Sequence, residues 1–270
     1  MYAQEASGRQ FRRTGIHNGN LVRTVYGNWG VVGQPGNKGP RGAWLHDNNG
    51  YIGDVSPMVG AEITTLDTAG NPVKFHSVVI SPANRPTSTG FEESPGGKSW
   101  SFEPRAGYFN ENQESVAMST DKTTWPPFWP DKQKDGDDPG WRGSWNGYFG
   151  KDLQNIQQES FFVMDDNNDE EFNYPQYNKW NVAFKPDSTN PARNGLGLEV
   201  KVRGMQWQQF LAQDVLFWLY EVTNTSTVDY TNVVFGMLVG TYVGVTGSDD
   251  RPQEYDDDWS FFDVENDITY

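Results

Sequence analysis

The sequence of 270 residues has no cysteine and only three histidines. Without cysteine the chain cannot form disulfides, thiolate zinc sites or a catalytic thiolate. His17, His46 and His76 are far apart, and none belongs to a ligand-spaced pair or to a hydrolase motif. Each is therefore predicted to be a surface or hydrogen-bonded core residue, and zinc hydrolysis and a Ser-His-Asp triad have no support.

Basic residues are also scarce, with 21 against 36 acidic residues and a formal charge of -15. A chain this negative repels a phosphate backbone, which argues against a nucleic-acid partner. No apolar run approaches the roughly 20 residues that a membrane span needs. The charge is uneven, because residues 1–120 carry 10 acids and 10 bases whereas residues 121–270 carry 26 acids and 11 bases.

Aromatic residues, glycine and proline are plentiful: 11 Trp, 12 Tyr, 16 Phe, 29 Gly and 16 Pro. Aromatic and β-branched residues favour strands, and Gly and Pro favour turns. We expect an all-β fold with little helix, an antiparallel β-sandwich-like arrangement with long aromatic and Pro-rich loops. Two regions are distinguished, a β-rich region 1–120 and an acidic, Trp-rich region 121–270, which form either one unit or two.

Alternating and apolar segments predict the individual strands. Residues 215–222 are almost continuously apolar, as in a central strand, and together with 196–203 and 233–245 they predict one three-stranded sheet. A single short helix is expected near residues 151–158. Shorter strands are predicted at 20–26, 43–45, 58–63 and 73–80, and residues 81–150 are expected to be mainly loops.

Three acidic runs in the second region suggest bound calcium, since Ca²⁺ takes six to eight oxygen ligands. Asp165, Asn167 and Asp169 have the alternate spacing of a calcium loop, although Glu170 stands where an EF-hand needs glycine. The alternative is that these runs are solvated loops that keep the protein soluble. The candidate ligands are Asp165, Asn167, Asp169 and Glu171 in the first run, Asp131, Asp135 and Asp138 in the second, and Asp256, Asp257 and Asp258 in the third.

Tryptophans cluster in the loop-rich middle of the chain. Exposed, they could stack on sugar rings or on a partner; buried, they would form the core that holds the long loops, and burial is the favoured interpretation. The candidate ligand-binding residues are Trp125, Trp129, Trp141 and Trp145. A glycosidase carboxylate pair stays open, because the candidates are too numerous to select one.

Three stretches, 124–130, 138–150 and 158–166, occur in the same chain as Asn28-Trp29-Gly30 and residues 51–57. Together they make the chain resemble the N-terminal region of large secreted proteins of the Bacteroidetes and Ignavibacteria, which end in a type IX secretion sorting domain. The resemblance implies export to the cell surface or medium and a longer natural chain. It transfers no catalytic motif.

The ends of the sequence agree with that expectation. Residues 2–5 resemble the end of a bacterial signal peptide, and residues 267–270 resemble the start of a strand. We therefore expect a non-catalytic, calcium-stabilised extracellular region with a structural or adhesive role, and a glycan or cell-surface partner. A carbohydrate-binding module and an ancillary or catalytic region of a secreted hydrolase are the alternatives.

Overall fold

The computed structural model describes residues 6–33, 39–45, 50–82, 86–87, 90–91, 99–133, 139–153, 155–173, 182–245, 259–266 and 268–269. Within these ranges the regular structure consists of antiparallel strands and short 3₁₀ turns, so the predicted all-β fold is confirmed. None of the helical segments described is long or apolar enough to cross a membrane.

Sixteen strands are numbered in chain order. They are β1 (Thr14–His17), β2 (Val22–Gly27), β3 (Ala43–Trp44), β4 (Gly50–Leu66), β5 (Pro72–Ile80), β6 (Pro86–Thr87), β7 (Gly90–Phe91), β8 (Glu103–Pro104), β9 (Asn146–Gly147), β10 (Gly150–Lys151), β11 (Gln158–Asp165), β12 (Leu198–Gln206), β13 (Leu216–Asn224), β14 (Val233–Val245), β15 (Phe262–Asp263) and β16 (Ile268–Thr269). The 3₁₀ turns span Arg9–Phe11, Lys122–Thr124, Pro130–Lys132 and Glu171–Asn173.

Two sheets pack against each other as a sandwich. One has the strand order β13-β12-β11-β8, and the other has the order β14-β4-β5, with the β1-β2-β3 sheet joined to it through a bridge from Val32 to Val55. Strand β12 alternates buried and half-buried residues, as its sequence predicts. The main apolar core between the sheets includes Tyr26 and Val59 from the first region and Phe162 and Val200 from the second.

Three sequence predictions about these strands are wrong. Strand β14 pairs with β4 rather than with β13, so the three C-terminal strands belong to two sheets. Strand β13 lies at the edge of its sheet, and its side chains are half-buried or exposed. The described residues of 151–158 form the end of β10, a turn, bends and the start of β11, and no helix.

The central strand of the first sheet is β11, which the sequence patterns did not single out. All eight of its residues are buried, including Glu159 and Asp165. Because its two faces pack against different clusters, its sequence has no polar and apolar alternation. A second apolar cluster on one side of β11 contains Trp125, Trp129, Trp145 and Phe161, and it holds the described loops of 106–133 and 139–145 in place.

Candidate functional site

A groove with a volume of about 750 Å³ opens beside the tryptophan cluster. Three segments of the chain form it: 119–125, 145–159 and 207–209. Its walls combine indole rings with amide, hydroxyl and charged side chains. The lining residues are Ser119, Thr120, Lys122, Trp125, Trp145, Asp152, Leu153, Asn155, Ile156, Gln157, Glu159, Trp207, Gln208 and Gln209.

The floor of the groove is set by Glu159 on β11. One of its oxygens accepts a hydrogen bond from Trp145 Nε1 at 2.8 Å, and the other accepts from Arg203 Nη1 at 2.6 Å and from Tyr148 N at 3.0 Å. The guanidinium of Arg203 also lies over the Phe161 ring, 3.9 Å from its centroid. A buried charge pair with this many partners fixes the Trp145 ring in one orientation.

Trp125 lines one wall and is anchored by its Nε1, which donates to the Met118 carbonyl at 2.6 Å. Its ring packs at 5.5 Å from Trp145, and the exposed Lys122 ammonium lies 5.3 Å from its centroid. Because Lys122 is exposed on a flexible side chain, a ligand can displace it from the indole at a small energetic cost.

Trp207 follows β12 and is half-buried. Its Nε1 donates to the Asn155 carbonyl at 2.7 Å, and its ring meets Phe217 edge-on at 5.5 Å. Of the three indoles in the groove it is the most accessible. The neighbouring Gln208 and Gln209 are exposed and can both donate and accept hydrogen bonds.

The other two predicted tryptophans lie away from the groove lining. Trp129 is buried, with its Nε1 donating to the Ser144 carbonyl at 2.8 Å and its ring edge-on to Trp145. Trp141 is half-buried, and its ring lies 4.6 Å from the Lys132 ammonium. Burial, the favoured interpretation of the aromatic cluster, is thus confirmed for Trp125, Trp129 and Trp145. Sequence reasoning missed Trp207 and Glu159 as parts of this site.

The two carboxylates of the groove are held by neighbouring donors. Glu159 makes an ion pair with Arg203 and accepts hydrogen bonds through both oxygens. Asp152 is exposed and accepts from Trp145 N at 2.7 Å. Acid and nucleophile roles need two carboxyl groups with contrasting environments facing one bond, whereas Glu159 and Asp152 both bind Trp145.

A histidine and a serine meet elsewhere, inside the sandwich. His17 Nε2 lies 2.8 Å from Ser160 Oγ, and its Nδ1 lies 3.2 Å from Gln206 Oε1. Because Gln206 Oε1 can only accept, Nδ1 carries the proton of the neutral imidazole, and Nε2 accepts from the Ser160 hydroxyl, which itself accepts from Gly204 N. All three side chains are buried, so this arrangement ties β1 to β11 and β12 and has no access to substrate.

The first acidic run forms a buried loop after β11. Asp165 accepts from Asn167 N at 3.0 Å and lies 3.7 Å from the Arg105 guanidinium. Asn167 Oδ1 accepts from Asn194 N at 3.2 Å. The loop's carboxylates and amides are therefore largely engaged by arginine and backbone groups.

Asp169 differs from its neighbours in this loop. Its Oδ1 accepts from Glu171 N at 2.8 Å, whereas its Oδ2 is buried without a hydrogen-bond partner. Burial and the neighbouring carboxylates raise the pKa of Asp169 well above its usual range. Burial also raises the pKa of Glu171 to about 7, although the Ser77 hydroxyl donates to it.

The remaining metal candidates are only partly placed. Asp131 accepts from Asn146 Nδ2 at 2.9 and 3.2 Å. Across the described ranges, no three His, Cys, Asp or Glu side chains come together in a way that could hold a metal. Asp135, Asp138, Asp256, Asp257 and Asp258 lie outside the described residues.

Comparison with known proteins does not assign this chain to a family. No family model matches the chain, and no curated protein or solved structure matches it.

Proposed function

We propose that this protein is a non-catalytic binding domain that holds a polysaccharide chain in its tryptophan-lined groove. The observation that carries the proposal is the composition of the groove, in which the half-buried Trp207 stands among amide and hydroxyl side chains, next to the buried indoles of Trp125 and Trp145. Sugar rings have an apolar C–H face and a rim of hydroxyl groups. Indole rings pack against the apolar C–H face, and side chains that donate and accept hydrogen bonds bind the hydroxyl groups.

The charge of the groove favours a neutral glycan. Lys122 and Asp152 are exposed and carry opposite charges, and Glu159 is neutralised by Arg203. The chain as a whole is strongly negative, which disfavours acidic polymers at long range. Attachment to glycans agrees with the adhesive, extracellular role in a larger surface protein that the sequence resemblance implies, and that location is part of the proposal.

Trp207→Ala is expected to weaken binding of a soluble neutral polysaccharide by at least about tenfold, which corresponds to about 1.4 kcal/mol. Loss of one stacked aromatic ring typically costs about 1–3 kcal/mol where flat ligands stack on it. Affinity electrophoresis across a panel of neutral and acidic polysaccharides would select the ligand, and isothermal titration calorimetry would measure the affinity.

The matched control is Trp259→Ala, which removes an exposed indole outside the groove lining and should leave the affinity unchanged. Gln209→Ala, an exposed change in the groove, should weaken binding without altering the melting temperature. Equal affinity of the wild type and Trp207→Ala, or no binding to any polysaccharide at millimolar sugar, would exclude the groove as a glycan site.

Calcium at the first acidic run is a second component of the proposal, and the unpartnered, buried Oδ2 of Asp169 supports it. Since no three described acidic or histidine side chains converge there, the other ligands would have to be backbone carbonyls, water or residues outside the described ranges. Extracellular calcium modules bind with a Kd of about 10⁻⁴ M, so 10 mM calcium would add about 2.7 kcal/mol of stability.

We expect a higher melting temperature in 10 mM calcium than in chelator for the wild type, and no such difference for Asp169→Asn. Glu221→Gln, an exposed change on β13, is the control and should keep the calcium response. A wild type that melts at the same temperature in both buffers would leave Asp169 as a buried acid without a metal.

A further inference from the structure

We propose that two copies of this chain associate through the open edge of the sandwich, defined here as strands β13 and β14. The inference is independent of the groove. It rests on three properties of this edge: exposed side chains on a core-facing surface, a strand edge of β14 that is unpaired over residues 233–241 among the described residues, and the absence of charged residues from β14.

The first property is the solvent exposure of the β14 side chains that lie on the core-facing side of the sheet. Phe235 pairs with Val59 and Val233 pairs with Ala61, so these side chains lie on the same face of the sheet as two residues of the buried core. Val59 and Ala61 are almost completely buried. The β14 side chains on that face are nevertheless open to solvent: Val233 is 50% exposed, Phe235 47%, Met237 37% and Val239 61%.

The second property is the strand edge itself. Among the described residues β14 pairs with β4 on one side only, and residues 233–241 have no strand on the other side. Natural sheets protect such an edge with charges, prolines or a covering segment, because an uncovered one pairs with another chain. Residues 233–245 contain no charged residue and no proline.

Strand β13 extends the open edge into the second sheet. It is the last strand of that sheet, and Tyr220 on β13 meets Phe235 on β14 with ring centroids 5.5 Å apart. Both sheets therefore end on the same side of the sandwich. On its outer face β13 also exposes Phe217 and Leu219.

A second copy fits this edge because of symmetry. A two-fold axis perpendicular to the sheets places β14 antiparallel to β14 of the partner subunit and leaves core-facing sides aligned with core-facing sides. A single interface therefore covers the exposed core-facing side chains of both copies. The strand is neutral, so the association does not bring the negative charge of the two chains into the contact.

The size of the exposed surface is also what a dimer requires. Eight apolar side chains of β13 and β14 are between one third and two thirds exposed, and Val234 is 68% exposed. Aromatic side chains bury about 150–250 Å² each and aliphatic ones less, so the exposed parts of these side chains, taken over both faces of the edge, amount to at most roughly 800 Å² per copy, which is the size of a stable interface.

Light scattering after size exclusion tests the proposal on the intact chain at about 50 μM. We expect a mass of about 61 kDa, twice that of the 30.5 kDa chain. Val239→Lys should shift the mass to that of one chain, because it places a charge in the contact. Val78→Lys is the matched control, since Val78 is similarly exposed but lies on β5 at the opposite edge of the same sheet, and it should remain dimeric.

Because the chain has no cysteine, single cysteines report the contact without background. Pairing centred on the strand midpoint places residue 239 opposite its equivalent, with Cα atoms about 4.5–5.5 Å apart, within reach of a disulfide. Val239→Cys, or a neighbouring position if the axis is displaced, should cross-link under mild oxidation, and Val78→Cys should not. A wild type that stays at the mass of one chain, or cross-linking through Val78→Cys as efficient as through every position of β14, overturns the proposal.

Discussion

Glu159→Gln is expected to lower the free energy of unfolding by about 3–5 kcal/mol, because it leaves the Arg203 guanidinium charged and buried without its partner. The carboxylate accepts three hydrogen bonds, from Arg203, Trp145 and Tyr148. A glutamine can accept through one oxygen only, so at least one donor is left facing an N–H₂ group. Urea unfolding at pH 7.5, followed by tryptophan fluorescence, measures the loss.

The same substitution should alter the groove. Trp145 owes its orientation to the hydrogen bond from its Nε1 to Glu159, so we expect a red-shifted emission and weaker polysaccharide binding even where the protein remains folded. Glu221→Gln, on the exposed face of β13, is the control and should stay within about 0.5 kcal/mol of the wild type. The double variant Glu159→Gln with Arg203→Met removes both charges and should recover part of the loss. If Glu159→Gln lowers the free energy of unfolding by less than about 1 kcal/mol, the Glu159–Arg203 ion pair does not stabilise the floor of the groove as proposed.

The fold class followed from composition and periodicity, whereas the pairing of the strands did not. The alternation in β12 reflects local burial, which a sequence records directly. Whether β14 lies beside β13 or beside β4 depends on contacts between residues about 180 positions apart, such as Val239 with Val55 or Phe235 with Val59. Such contacts leave no local signature. Strand β11 was missed for a related reason, since a strand buried on both faces does not alternate.

The candidate site was predicted only in part from the sequence. Trp125 and Trp145 were identified because tryptophans cluster in one segment of the chain. Trp207 lies some 60 residues later and reaches the groove only through the fold. In the acidic loop the local spacing suggested calcium ligands. The structure shows that Arg105 and Arg193 form ion pairs with Asp165 and Asp166, and these arginines are too distant in sequence for the local pattern to reveal them.

His17→Gln is expected to change the pH dependence of stability. Burial lowers the pKa of His17 from 6.5 to about 4, against the opposing effect of its hydrogen bond to Gln206. The folded protein therefore keeps this imidazole neutral where the unfolded chain takes up a proton. The stability so contributed is present above pH 6.5 and is lost as the pH falls towards 4, amounting to about 2 kcal/mol between pH 7.5 and pH 5.

The quantity to measure is the difference in unfolding free energy between the wild type and His17→Gln at each pH. Burial of Glu171 raises its pKa to about 7 and so favours the folded state in acid, the opposite trend, but this contribution is common to both proteins and cancels. We expect the difference to shrink by about 2 kcal/mol from pH 7.5 to pH 5. Val78→Ala, an exposed change that removes no titratable group, is the control and should differ from the wild type by a constant amount. A constant difference for His17→Gln as well would contradict a neutral imidazole held between Ser160 and Gln206. In that case the folded protein would take up a proton at His17 as readily as the unfolded chain does, and this buried part of the sandwich would carry a charge in acid.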